Sequence, residues 1–180
     1  MRIIAGAAKG RRLEAPRTPD TRPITDRAKE SIFSSLGDRV SGARVLDLYA
    51  GSGAFGLEAL SRGSASAEFV ERGREAVGVL RRNVESTGLG GRIVADDVVR
   101  FLERNVDTYD LIFVDPPYAL SLASVEQVIG LVEPLLDRDG VVVLHRRVGS
   151  DLPGVPQSLR IDDDRRLGDS RVLRYLKETR

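Results

Sequence analysis

Two short stretches hold the residue types best suited to chemistry. In the first, the apolar run Arg44-Val45-Leu46-Asp47-Leu48-Tyr49 leads into Ala50-Gly51-Ser52-Gly53-Ala54-Phe55-Gly56. Glycines let backbone approach a ligand closely or take positive φ, and a helix starting there offers unpaired N–H groups. The spacing of Gly51, Gly53 and Gly56 satisfies G-x-G-x-x-G, which by itself fits a pyrophosphate held on a helix dipole. Asp47 stands four residues before the first glycine and would repel a pyrophosphate. A carboxylate aimed into that crevice suits a cationic ligand, and S-adenosylmethionine, with its sulfonium and amino groups, is one. Alternatively, Asp47 satisfies turn amides, as acids near tight turns do. In the second stretch, Leu111-Ile112-Phe113-Val114 runs into Asp115-Pro116-Pro117-Tyr118. Two prolines fix φ and remove two N–H donors, so this corner is rigid and its carbonyls are free to accept from a ligand. The plainer alternative is a stiff turn with a helix-capping acid.

Further acids follow at strand tips. Glu71 lies where the second strand of a mononucleotide-binding half presents an acid to ribose hydroxyls. Asp96 and Asp97, after a third strand, either accept from an adenine amino group or cap the next helix. The single histidine, His145, has no partner motif and is expected to be structural. With no cysteine and one histidine, the inventory excludes a Cys/His metal site, a disulfide framework and a cysteine nucleophile. No metal is expected. Carboxylates, backbone and hydroxyls must do the work.

These residues need a scaffold. A chain of 180 residues, 41% hydrophobic and 31% charged, is long enough for one sizeable core. No apolar run approaches the ~20 residues of a membrane span, and Lys9, Arg11 and Arg12 stand where a signal peptide would be apolar; a cytoplasmic protein is expected. Residues 1–44 hold ten Lys/Arg against five Asp/Glu, so a basic arm precedes a mildly acidic body. Such an arm either meets phosphate backbones or is a solvated, arginine-rich surface.

Periodicity supplies the elements. Residues 1–15 suit a small hairpin displaying Lys9, Arg11 and Arg12. Residues 17–23 read as a loop, and a helix starts at Thr25 or Asp26 and stops at Gly37, its N-terminus beside Arg22, Arg27 and Lys29. The glycine turn joins a strand to a helix with Phe55, Leu57 and Leu60 on one face. Strand 67–71, helix 74–87, strand 92–95 and helix 98–104 follow. Next come strand 109–114, helix 122–136, strand 141–144, and a final hairpin of 159–161 with 172–176. Strand 109–114 is nearly all apolar, in Leu111, Ile112, Phe113 and Val114, as a central parallel strand buried on both faces should be.

Together, Asp47 with the glycine turn, Glu71 and the Asp115 to Tyr118 corner resemble the class I S-adenosylmethionine-dependent methyltransferases that modify exocyclic amino groups. Three segments narrow the resemblance: Met1-Arg2-Ile3-Ile4-Ala5-Gly6, Arg22-Pro23-Ile24-Thr25-Asp26-Arg27-Ala28-Lys29-Glu30-Ser31-Ile32-Phe33, and the run from Leu46-Asp47-Leu48-Tyr49 through Glu58-Ala59-Leu60-Ser61-Arg62-Gly63. They look like the RsmD family over essentially the full chain, with one departure at Ile24, where threonine is expected. The resemblance implies methylation of N2 of guanine 966 in 16S rRNA, free or in an assembling small ribosomal subunit, by a monomer. It implies a Rossmann-like α/β fold, a seven-stranded mostly parallel sheet with helices on both faces and an antiparallel final strand. Residues 1–40 would form the RNA-contacting extension and residues 41–180 the methyltransferase domain. Adenosylmethionine would lie with its methionine end by Asp47, Tyr49 and the turn Ala50, Gly51, Ser52, Gly53, its ribose on Glu71, and its adenine near Arg72, Asp97 and Val98. Asp115 and the Pro116 carbonyl would accept the two N2 protons, with Pro117 stiffening the corner and Tyr118 stacking on the base. Arg11, Arg12, Arg22, Thr25 and Lys29 would contact RNA. Rival readings are a DNA adenine-N6 or cytosine-N4 methyltransferase, a protein glutamine-amide methyltransferase, a nicotinamide oxidoreductase, and a non-catalytic RNA-binding assembly protein.

Overall fold

The computed structural model describes residues 1–17 and 24–178. In chain order the elements are α1 (Asp26–Leu36), β1 (Arg44–Leu48), α2 (Ala54–Ser61), β2 (Ser66–Val70), α3 (Arg74–Thr87), β3 (Arg92–Val94), α4 (Val98–Arg104), β4 (Tyr109–Val114), α5 (Leu122–Val132), β5 (Leu136–Arg147), β6 (Leu159–Leu167) and β7 (Ser170–Lys177). The strands form one sheet in the order β3-β2-β1-β4-β5-β7-β6. The first five are mutually parallel, and β7 is antiparallel to both β5 and β6. This is the expected class I methyltransferase architecture.

Alternating residues of the central strands feed two cores. Val45, Phe69, Leu111, Phe113, Val141 and Val143 pack under α1, α2 and Leu80 of α3. Leu46, Leu48, Ile112, Val114, Val142 and Leu144 pack under α4 and α5. A parallel strand covered by helices on both sides has no face for polar residues, which is why β4 is apolar from Leu111 to Val114; Asp110, near its start, instead accepts from the Arg44 amide.

Local chemistry sets most boundaries. Thr25 caps α1, its Oγ1 accepting from the Ala28 amide at 3.1 Å, and Gly37 ends the helix with φ of 54°. Four expectations need correction. Helix α5 stops at Val132 rather than 136, and Glu133–Leu135 forms a 3₁₀ turn around Pro134, whose missing N–H cannot continue the ladder. Strand β5 consequently begins at Leu136 and runs far past the expected 141–144. The final hairpin is also longer, turning tightly at Gly168 (φ 65°) and Asp169.

The fourth correction concerns α2, which is buried almost all round rather than on one face. Its Gly56 is the position where the sheet comes closest. A Cβ there would lie 2.3 Å from Cε1 of the fully buried Phe69 ring. Gly56→Ala is therefore expected to cost about 1–3 kcal/mol of stability by overpacking, read from urea unfolding. An unchanged midpoint would show that the helix can retreat from β2.

The N-terminal segment forms a minimal hairpin through the Arg2–Arg12 antiparallel bridge. Its Ile3 and Leu13 join Ile24, Ile32 and Phe33 in the same apolar cluster as Val45, Phe69 and Phe113. The described part of residues 1–40 thus contributes to the same core as the helices and strands that follow.

Candidate active site

The sheet order reverses between β1 and β4, with β2 and β3 on one side and β5 on the other. In an open parallel sheet the crevice beyond the strand C-termini opens at such a reversal. A cleft of about 790 Å³ lies there, walled by Tyr49, Ala50, Gly51 and Ser52, by Glu71 to Ala76, by Asp97 and Val99, and by Asp115 to Leu120. That volume suits a small-molecule ligand.

The turn after β1 is built by conformations that L side chains avoid: Tyr49, Gly51 and Gly53 have φ of 60°, 54° and 78°. Burial, with help from Asp97 and opposition from Arg72, pushes the Tyr49 phenol up to about 12. Glu71 braces the turn from the tip of β2, its Oε2 accepting from the Gly51 amide at 3.0 Å and its Oε1 from the Gly73 amide at 2.7 Å. Asp97 does two things at once. It caps α4, accepting from the Val99 amide at 3.0 Å, and it stands on the cleft wall 3.2 Å from Arg72.

Several residues expected at the site lie elsewhere. Asp47 does not line the cleft; it is 1% exposed, and its Oδ2 accepts from the Gly56 amide at 2.8 Å. The carboxylate meets an otherwise unpaired donor of α2, the turn-amide role weighed for it. Burial pushes the Asp47 carboxyl well above the ordinary range; Gly56 opposes this, and the charges of Asp115 and Glu71 add to it. Its Oδ1 is buried without a partner among the described residues. Gly53 also misses the cleft, facing Leu80 of α3, where a Cβ would sit 2.5 Å from Cδ1. Val98 is turned into the α4 core by the helix, and its neighbour Val99 faces the cleft instead.

The proposed RNA contacts divide similarly. Arg11 and Arg12 are exposed. Thr25 is exposed, but its hydroxyl is used as the α1 cap. Arg22 lies outside the described residues. Lys29 is not available to RNA: it is 0% exposed, its Nζ 3.2 Å from Glu58 Oε2 and donating to the Arg2 carbonyl at 2.6 Å. Burial drags the Lys29 ammonium down, and Glu58 pulls it partly back. Glu58 in turn accepts from the Ile4 and Ala5 amides at 2.7 and 3.1 Å and from Arg62. One buried carboxylate thus clasps the N-terminal arm to α2. The signal for it was an acid in the otherwise apolar run 54–60.

That clasp shapes the site, because Met1, Ala15, Pro16 and Ile24 line the cleft. Asn83 of α3 ties the arm to the glycine turn, donating to the carbonyls of Glu14 at 3.0 Å and Ser52 at 2.8 Å. Ile24, where a threonine was expected, supplies apolar wall rather than a hydroxyl.

At the Asp115 to Tyr118 corner the chain gains a residue that motif reading missed. His145 Nδ1 lies 2.7 Å from Asp115 Oδ1. The register explains the meeting: Val114 pairs with Leu144 across the parallel β4 and β5, so the next residues on each strand are Asp115 and His145. Phe55 and Tyr118 have ring centroids 6.4 and 6.2 Å from the imidazole. Burial pulls the His145 imidazole down, but the charge and hydrogen bond of Asp115 outweigh it and leave it raised.

Known proteins share this chain's sequence and fold. The family model described as "Conserved hypothetical protein 95" matches residues 1–176. The chain is 34% identical over 181 residues to Ribosomal RNA small subunit methyltransferase D of Escherichia coli K12, covering 99% of this chain and 90% of that one. A putative rRNA methyltransferase of Bacillus subtilis, YlbH, is 36% identical over 160 residues, or 85% and 86% of the two chains. Among solved structures, the putative methyltransferase yhhF of Escherichia coli superposes with a TM-score of 0.88 at 33% identity, covering 100% and 99% of the chains.

Proposed function

The chain belongs to the conserved-hypothetical-95 family, the RsmD family, and from that premise we propose that it is an S-adenosylmethionine-dependent methyltransferase acting on N2 of guanine 966 of 16S rRNA. The observation that carries the reading is the shared cleft: the glycine turn with Glu71 and Asp97 forms one end, and the Asp115 to Tyr118 corner forms the other. A nicotinamide oxidoreductase would use the turn and leave the corner idle.

The donor set suits adenosylmethionine. Glu71 already holds two backbone amides and, as a carboxylate with about four acceptor sites, retains capacity for ribose hydroxyls. Asp97 and Val99 offer an acceptor and an apolar surface to adenine. The carboxylates of Glu71 and Asp97 on the cleft wall make this end favourable to a cation. When bound, the cofactor supplies an electrophilic methyl group on a sulfonium.

The chain's own residues have to position the nucleophile. A guanine N2 lone pair is delocalised into the ring, so the amine must be oriented and its protons accepted. Asp115 accepts one N2 proton and the Pro116 carbonyl the other, favouring sp³ character and aiming the lone pair at the methyl group. Tyr118 stacks on a base taken out of its helix or loop. Holding both reactants in line supplies roughly 7–11 kcal/mol. The proton released after transfer leaves to water or Asp115.

The arm's exposed Arg11 and Arg12 grip RNA phosphates in this reading. The double change Arg11→Glu and Arg12→Glu is expected to weaken RNA binding and reduce its salt slope by about 2, one per lost phosphate contact. Adenosylmethionine affinity should stay the same; its loss would make the arginines structural. The activity itself is tested by transfer of a labelled methyl to small ribosomal subunits from a strain lacking the endogenous enzyme. Label on a single guanine N2 supports the reading. Label absent from RNA despite cofactor binding would move the substrate to DNA or protein.

A further inference from the structure

The hydrogen bond between Asp115 and His145 concerns the acceptor on which the methyl-transfer reading depends. We propose that His145 is a positioning residue for Asp115, pinning Oδ1 so that Oδ2 is presented to the substrate amine, and that its charge sets how strongly that carboxylate accepts.

The geometry supports this in three ways. First, Oδ1 is taken by Nδ1 at 2.7 Å, and no hydrogen bond from the described residues reaches Oδ2. Second, the imidazole cannot turn away. Its side chain is 3% exposed, flanked by Phe55 from α2 and Tyr118 from the corner, and its backbone is locked in register with Val172 of β7. Third, Asp115 is half-open to the cleft, with 32% of its side chain exposed, so an aspartate without this brace would sample other rotamers.

An ionised carboxylate only accepts, so Nδ1 carries a proton whenever Asp115 is charged. The proton that titrates is therefore the one on Nε2, which is buried without a partner among the described residues. Asp115 is the charge that acts on the imidazole, and on the far side of the cluster the charges of Asp115 and Glu71 of β2 bear on the buried Asp47 of β1. Below the pKa of His145 the imidazolium offsets the Asp115 charge and weakens its hold on the amine protons. Above it the Nδ1–H still pins Oδ1, and Asp115 acts as a full anion. Because Asp115 raises the folded value above 6.5, kcat is expected to climb with pH through a point above 6.5.

His145 is the only histidine in the chain, so an untagged protein gives one imidazole signal to follow by NMR. The wild-type signal should titrate above 6.5 and that of Asp115→Asn below it, where burial acts alone. Equal midpoints would overturn the proposed charge coupling without any activity measurement. Kinetics test the positioning. His145→Leu should lower kcat for methyl transfer by on the order of 10²-fold with adenosylmethionine affinity unchanged, as a misplaced reacting group does. His145→Asn, whose amide nitrogen sits near the Nδ1 position, should restore most of the high-pH rate but lose the rise with pH. A His145→Leu protein with the wild-type rate and pH profile would overturn the proposal while leaving the function intact. A wild type that transfers no methyl to rRNA would instead overturn the function, and the NMR result would still report the pair.

Discussion

Asp115→Ala is expected to lower methyl transfer by on the order of 10²–10³-fold, the loss seen when one preorganised group that meets the reacting centre is removed. Adenosylmethionine should bind as before, because Asp115 stands at the end of β4 and the turn that faces the cofactor hangs from β1 and β2. Asp115→Asn should fall less, since its amide oxygen can still accept one amine proton. The fold should survive: the change strands only His145 Nδ1, and a buried imidazole can shed its charge. The check is single-turnover transfer to small subunits beside a calorimetric cofactor titration. A rate equal to wild type would remove Asp115 from the chemistry. Loss of cofactor binding would make the corner part of the cofactor site.

Glu58→Gln should be the most damaging isosteric change to stability. It removes the charge opposite Lys29 while both side chains stay 0% exposed, and breaking such a pair from one side costs about 3–5 kcal/mol. For a chain this size that is a fall of about 6–20 °C in Tm. The asymmetry with Lys29→Met is the sharper test. Without Lys29, Glu58 keeps Arg62 and the Ile4 and Ala5 amides, so that variant should lose less. The double variant should be less destabilised than the sum of the singles, because the second change removes the charge orphaned by the first. Glu58→Gln should also expose residues 1–17 to protease, since the NH2 that replaces one oxygen can no longer accept from one of the two arm amides. A wild-type Tm would mean that the arm is held without the Glu58 clasp, by its apolar residues and the hydrogen bonds of Asn83.

The two variants differ in how visible their residues are in the amino-acid order. Asp115 could be singled out because it belongs to a contiguous pattern, a buried strand meeting two prolines and an aromatic. The turn from Ala50 to Gly53 and the acid at Glu71 are visible for the same reason. So are the elements: α3, α4 and β4 have the boundaries that periodicity and capping residues give them. Basic arms are less transparent. Charge counts group Lys29 with Arg11 and Arg12, yet one is enclosed and the others are exposed. Composition records how many charges there are, not which way a helix turns them.

What the sequence determined by itself was therefore local: strand, turn and helix, the rigid corner, and the family whose motifs they spell. Tertiary structure decided what depends on two distant segments meeting. Strand register across β4 and β5 puts His145 on Asp115, 30 residues apart in sequence. Packing of the arm on α2 makes Glu58 and Lys29 a buried clasp, and the N-terminus of α2 draws Asp47 behind the turn rather than into the cleft. A side chain's partner is set by whichever backbone closes over it, and only the assembled sheet and helices supply that.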